Sequence, residues 1–286
     1  MANNSYHAFL DLTVHGHLTV IGDLHGKINV FEAILRERQV ETGLQAGDHT
    51  LVSLGDLIDR GPTEGSGEDI VFTGAEALVD RFVELKAKYP DQVHVVAGNH
   101  EARHVDEIGL WNLGVGDVSA WGSLGRLRLT ADRLAFLKGL PVALVLSMAG
   151  VRAVVVHAGA PERAFDLKEK LSGVESLADA HRLVPVRQLL WSNPSWSMKA
   201  GGFYFAYGES HLGAFLETNR AQVLIRGHTD ESEIMELPGG RTYICVHSAQ
   251  GDEGRDADGE GYVYLAWDPP AGPTLITQKG SRGPAT

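Results

Sequence analysis

The densest chemistry in the chain lies in Ser53-Leu54-Gly55-Asp56-Leu57-Ile58-Asp59-Arg60-Gly61, just after the apolar pair Leu51-Val52. Turns favour Asp and Gly, but a turn has no need of an Arg beside its second Asp. These residue types read as a metal ligand (Asp56), an orienting carboxylate (Asp59) and an anion clamp (Arg60). Four other apolar runs end in comparable clusters. Thr19-Val20-Ile21 leads into Gly22-Asp23-Leu24-His25-Gly26, and Val93 to Ala97 into Gly98-Asn99-His100-Glu101. Val154-Val155-Val156 leads into His157-Ala158-Gly159, and Val223-Leu224-Ile225 into Arg226-Gly227-His228. Any one of these is ordinary loop composition. All five at strand ends point to one site.

Asp, Asn and His donors without thiolate suit borderline or hard divalent ions such as Mn²⁺, Fe²⁺ or Zn²⁺. Six such residues exceed what one ion takes, and two ions could share a bridging carboxylate. Setting Asp23 and Asp56 against two divalent ions leaves a charge of roughly +2, which suits a phosphoryl group and a hydroxide.

Such residues converge only if the elements between them bring the strand ends to one rim, as layered α/β proteins do. Ile28, Phe31, Ile34 and Leu35 fall at helical spacing after the first strand. Ala75, Leu78, Val79, Phe82 and Leu85 mark a second, amphipathic helix that ends near Tyr89-Pro90. Thr130 is placed to cap a helix carrying Leu134, Phe136 and Leu137, and Ser172 to Glu175 has the form of a capping box. Hairpins are expected around Met148-Ala149-Gly150 and Pro238-Gly239-Gly240. Tyr262 to Trp267 reads as the last strand. The chain reads as one mixed α and β domain, residues 1–268, with a loosely ordered Pro/Gly-rich tail at 269–286.

Of the 286 residues, 43% are hydrophobic and 22% charged, enough for a sizeable core. A net charge of -12 argues against a nucleic-acid or anionic-membrane binder. Cys245 is the only cysteine, which excludes an internal disulfide and any multi-Cys metal site. No basic and then apolar leader opens the chain, and no apolar run nears the ~18 residues of a membrane span. A cytoplasmic protein is expected, with its oligomeric state left open.

Gly22 to Gly26, Gly55 to Gly61 and Gly98 to Glu101 resemble the three signature motifs of the phosphoprotein phosphatase family, within the calcineurin-like metallophosphoesterases. Leu190-Trp191-Ser192-Asn193-Pro194 is similar to that family's Leu-Trp-Ser-Asp-Pro segment, and Tyr204 to Gly208, Arg226-Gly227-His228 and Ser248-Ala249 follow in family order. The resemblance implies an α/β fold, a central β-sandwich flanked by helices with a dinuclear centre at the strand ends. It implies Asp23, His25 and Asp56 on the first metal, with Asp56 bridging, and Asn99, His157 and His228 on the second. It further implies two divalent ions, foremost Mn²⁺, whose shared water attacks the phosphoester directly. Arg60, helped by Asn99, would bind the phosphate, and His100 would protonate the leaving oxygen, held by Asp59. Phosphorylated protein or a small phosphoester is the implied partner.

The chain also departs from the family. The second phosphate-binding Arg is absent, its aligned position being Gly201, and Lys199 or Arg226 are the candidate substitutes. Asn193 replaces the usual Asp, and Gln250-Gly251-Asp252 stands where Pro-Asn-Tyr is usual. These changes keep a dinucleoside polyphosphate hydrolase as the alternative to a serine/threonine phosphatase; an inactive phospho-ligand binding module is the third reading. Trp111, Trp121, Trp191 and Trp196 read as core unless they wall a cleft. His15 and His17 read as edge or surface residues, His104 as a neighbour of the site, and His247 as a candidate to line it.

Overall fold

Val14, Leu18, Val20, Val52, Leu54, Leu144, Val155, Ile225, Ile244 and Leu265 are all buried and pack together. They alternate along strands with residues of a second cluster, as expected where each sheet has one face on its partner and one under helices. The structure is a computed structural model describing residues 6–65, 71–105, 127–128, 130–197, 205–249 and 261–278, without the His104 side chain.

In chain order the elements are β1 (Phe9–Thr13), β2 (His17–Ile21), α1 (Ile28–Glu37), α2 (Val40–Ala46), β3 (His49–Ser53), α3 (Thr73–Lys88), β4 (Val93–Val95) and α4 (Asn99–Val105). There follow α5 (Ala131–Lys138), β5 (Ala143–Met148), β6 (Val151–Val156), α6 (Leu167–Leu171), α7 (Leu177–Arg182), α8 (Val184–Trp191), β7 (Asn193–Pro194) and β8 (Ala206–Tyr207). The last are α9 (Glu209–Thr218), β9 (Val223–Arg226), β10 (Glu233–Leu237), β11 (Arg241–Cys245), β12 (Tyr262–Asp268) and β13 (Gly272–Gln278).

One mixed sheet has the order β1-β5-β6-β9-β11-β10 and the other β13-β12-β2-β3-β4. Strands β2, β3 and β4 are parallel, and so are β6, β9 and β11. The five polar clusters therefore leave two facing sheets at carboxyl ends, as the sequence predicts. Helices α1 and α3 cover the outer face, with Phe31 and Phe82 in ring contact at 4.5 Å. Arg81 of α3 bonds Glu32 of α1 and Glu41 of α2, tying the three helices.

Several expectations need correction. Gly272–Gln278, read as loose tail, pairs along its full length with β12. Its place at a sheet edge tolerates Pro273, which lacks an N–H for the ladder. Glu37 accepts from Tyr262, Tyr264 and Gln278 and fastens this hairpin to α1. Ser172 caps no helix N-terminus; Ser176 does, accepting from the Asp179 amide at 3.0 Å. Strand β1 and helix α2 carry little sequence signal: β1 has no clean alternation, and α2 begins straight after Gln39 in a left-handed conformation. Thr130 caps α5 as expected, and both hairpins form.

Two histidines outside the rim give the fold a pH dependence. His49 bonds the Thr19 hydroxyl at 2.9 Å and His94 the Asp91 carbonyl at 3.1 Å. Burial, aided by nearby cations, lowers both from 6.5 to about 4. The unfolded chain then binds more protons in that window, so stability falls on acidification from pH 6.5 to about 4. Each contributes a slope of up to ~1.4 kcal/mol per pH unit. Urea unfolding of chelated protein should show this, and the double variant His49→Gln/His94→Gln should lessen the slope, the part that remains coming from the other buried histidines, His25, His157 and His228. An unchanged slope in that variant would assign the effect elsewhere.

Candidate metal centre

Asp56 sits at the middle of the rim. Its Oδ2 lies 3.6 Å from His25 Nε2, 3.6 Å from His157 Nε2 and 3.8 Å from His100 Nε2. Two groups with metal-ligand spacing result, His25–Asp56–His100 and Asp56–His157–His228, and they share Asp56. All of these side chains are buried except His228, which is partly so.

Backbone contacts set the histidine tautomers. His25 Nδ1 donates to the carbonyls of Ile58 and Asp59 at 3.0 and 3.1 Å, and His157 Nδ1 to that of Leu54 at 2.8 Å. Each Nε2 thereby turns its lone pair to the centre, the arrangement that prepares an imidazole for a metal. Burial lowers His25 to about 3 and His157 to about 4, and drives His228 well below 6.5. Neutral imidazoles result.

Asn99 bears on what belongs there. With its oxygen inward it sits 2.8 Å from His157 Nε2, itself 3.2 Å from His228 Nδ1. Lone pairs then face lone pairs, and only the reversed amide can donate, to His157 and Asp56. Converging carboxylate, amide oxygen and imidazole lone pairs form a donor set that a divalent cation satisfies. The residues fit the metal.

Asp23 lies beside these groups, its Oδ1 accepting the His228 amide at 3.0 Å. Burial works to raise it, but His157, His247 and His25 pull it down to about 2. Asp56 goes the other way, held well above its usual range by burial and by the like charges of Asp23 and Glu101.

The two loops that carry these residues interlock. His25 N donates to Asp56 O at 2.8 Å, and Gly26 N to Leu57 O at 2.8 Å. His25, Asp56, Asp59, Arg60 and His228 all have positive φ, a cost that persists only where the surroundings over-determine the backbone. Glu101 does much of that. Its carboxylate accepts from the amides of Asp56, Leu57, Ile58 and Gly98 at 2.8, 2.7, 3.3 and 2.8 Å. A Cβ at Gly98 would run into Glu101 Oε2 and the Asp56 amide.

His100 Nδ1 bonds Asp59 Oδ2 at 2.7 Å, which leaves its Nε2 toward Asp56. Burial holds this imidazole below the usual histidine range while Asp59 pulls it back up. Arg103 also donates to Asp59 Oδ2. Arg60, partly exposed at the rim, is near enough for its charge to act on His25, Asp56 and His100.

Arg226 is not at the rim. Its guanidinium is fully buried and bonds Ala158 O, Thr229 Oγ1, Cys245 Sγ and Asn193 Oδ1. It holds loops together behind the histidines, and the expectation that it clamps phosphate is corrected on that ground. Lys199, Gly201, Trp111, Trp121 and Gln250 to Asp252 lie outside the described residues. Trp191 packs edge-on to His228 with centroids 6.0 Å apart, whereas Trp196 packs on Tyr207 and Tyr243. His15 is exposed, and His17 is tied to Asp268 at 2.7 Å. Sequence reasoning missed the roles of Glu101 and Arg103. Arg103 stands three residues after His100 on α4, a spacing that puts both on one helix face.

A family model described as calcineurin-like phosphoesterase matches residues 16–231. The chain belongs to that family. Curated relatives of this calcineurin-like phosphoesterase include the serine/threonine-protein phosphatase 4 catalytic subunit of Kluyveromyces lactis, 24% identical over 74% of this chain and 62% of the relative. Serine/threonine-protein phosphatase 5 of Rattus norvegicus is 25% identical over 87% of this chain and 46% of its own length. The chain thus spans roughly half to three-fifths of these relatives. Among solved structures, a Saccharomyces cerevisiae protein serine/threonine phosphatase with similarity to human PP5 superposes with TM-score 0.67 at 18% identity, over 98% of this chain and 86% of that one. A cold-active protein-tyrosine phosphatase of a psychrophilic Shewanella superposes with TM-score 0.51 at 15% identity, over 94% and 79%. Both establish the fold. Among the described residues no helix is long and apolar enough to cross a membrane.

Proposed function

We propose that this phosphoesterase is a metal-dependent phosphomonoesterase of the phosphoprotein phosphatase type, acting on phosphoserine and phosphothreonine esters. The observation that carries the reading is the pair of clusters His25–Asp56–His100 and Asp56–His157–His228 joined at Asp56, with His100 also bonded to Asp59. Asp23, His25 and Asp56 would hold one divalent ion, and Asp56, Asn99, His157 and His228 a second, Mn²⁺ being the first candidate. When bound, these ions polarise the phosphoryl oxygens and acidify a water for in-line attack.

The side chains do the rest. Arg60 at the rim offers two parallel N–H bonds to the phosphoryl oxygens, a geometry Lys cannot match. Asp59 holds the His100 ring through Nδ1, so the Nε2 proton is aimed at the leaving oxygen. An arriving phosphate adds negative charge next to His100 and favours its protonated form. Serine and threonine alkoxides are poor leaving groups, and a positioned acid matters most for these.

Purified protein with added Mn²⁺ is expected to turn over an aryl phosphate and a phosphoserine peptide, and His100→Asn to lower kcat by about 10²–10⁴-fold with its ions still bound. No turnover with any divalent ion would sink the enzyme reading. Turnover of diadenosine tetraphosphate alone would move the assignment to that substrate class. Loss of ions in His100→Asn would make His100 a ligand rather than an acid.

A further inference from the structure

A sixth strand reaches the rim that the sequence credits with five. Strand β11 runs parallel to β9 with Cys245 opposite Arg226, and the ladder continues through Val246 N to Arg226 O at 2.8 Å. His228 lies two residues beyond Arg226 and His247 two beyond Cys245, so both histidines come just past the ends of neighbouring strands. Strand β6 delivers His157 to the same rim from the other side of β9.

The backbone around His247 is pinned against the Asp23 loop. A Cβ on Gly22 would strike the Val246 carbonyl and stand 3.1 Å from the His247 Cα, so only glycine permits this crossing. Gly22 N donates to Ser248 Oγ at 2.8 Å and Ala249 N to Asp23 O at 3.1 Å. Ser232 Oγ accepts from His247 N at 2.9 Å and donates to His247 O at 3.3 Å. Yet the imidazole Nδ1 is buried and has no hydrogen-bond partner among the described residues. A buried polar atom so placed implies a partner not yet counted.

We propose that His247 is a further ligand of the divalent ion held by Asp23, His25 and Asp56. This rests on the metal reading above. It raises the protein donors of that ion from three to four, equal to the four assigned to its neighbour. A four-donor set leaves that ion fewer positions for solvent and fixes it more firmly.

The test is metal binding, read without turnover. Protein stripped with a chelator is titrated with Mn²⁺ by calorimetry, with ion content by elemental analysis, and with Co²⁺ by visible absorption. Wild type should take two ions. His247→Ala and the more conservative His247→Gln should each weaken one of them by at least about 10–100-fold and alter the Co²⁺ bands. The other ion should bind as in wild type. Two ions of wild-type affinity with unchanged bands in either folded variant would overturn the proposal. So would an unchanged isotherm joined to a raised KM, which would place His247 on the substrate instead. If wild type itself binds no divalent ion, the reading of the whole centre fails, an outcome distinct from failure at His247. Melting of the stripped proteins shows which variants fold.

Discussion

Replacing Asp56 with Asn is expected to abolish tight binding of divalent ions and to lower turnover by at least about 10³-fold, yet to stabilise the ion-free protein by about 0.5–2 kcal/mol. The two effects share a cause. Asp56 is 2% exposed and crowded by Asp23 and Glu101, which together with burial hold its carboxyl well above the usual range. A folded-state pKa raised above the unfolded value means that stability is lost as pH rises above the usual carboxylate range. In the ion-free fold the ionised form of this group is therefore a liability. Asn keeps an oxygen to accept the His100 amide, now at 3.1 Å, and removes the charge. Melting in the presence of a chelator, beside a Mn²⁺ titration, checks both halves. A variant less stable than wild type without metal would contradict the argument.

Glu101→Ala carries the second large effect, about 3–5 kcal/mol of lost stability together with loss of the ions. Four buried amides, those of Asp56, Leu57, Ile58 and Gly98, end on this one carboxylate. Bonds to a charged acceptor contribute ~1.5–3 kcal/mol each, less than additively when they share it, and removing the acceptor orphans every donor. Those amides also hold Asp56 in its left-handed conformation, φ 51°. Glu101→Gln should lie between, since its NH₂ would face an amide donor. Urea unfolding of the chelated variants measures the loss, and a change under about 1 kcal/mol for Glu101→Ala would mean that water replaces the carboxylate.

The metal-type residues were legible in sequence because each follows an apolar run and a glycine, a pattern local enough to read. Their convergence was legible too, since parallel strands must share a rim. Arg226 shows the limit. An Arg at a strand end looks like a clamp, but its guanidinium turns inward, and only the packing of Cys245, Thr229 and Asn193 decides that. Arg103 and the ties of Glu101 were hidden because their partners lie some 44 residues away. Strand β13 was lost behind Pro273 and Gly272, residues that weaken a strand signal but are tolerated at an edge. Ser172 matched the capping pattern as well as Ser176 did, and tertiary context chose between them.

The anchors of the rim have a kinetic consequence. Leu54 to His157 spans 103 residues, Asp23 to His228 spans 205 and Gly22 to Ser248 spans 226. Contacts this distant pay their loop-closure entropy late, after local helices and hairpins have formed. Where such contacts form after the folding transition state, they oppose escape from the native basin more than they speed entry. Occupancy by ions would accordingly lengthen the lifetime of the folded chain and leave its rate of formation almost untouched.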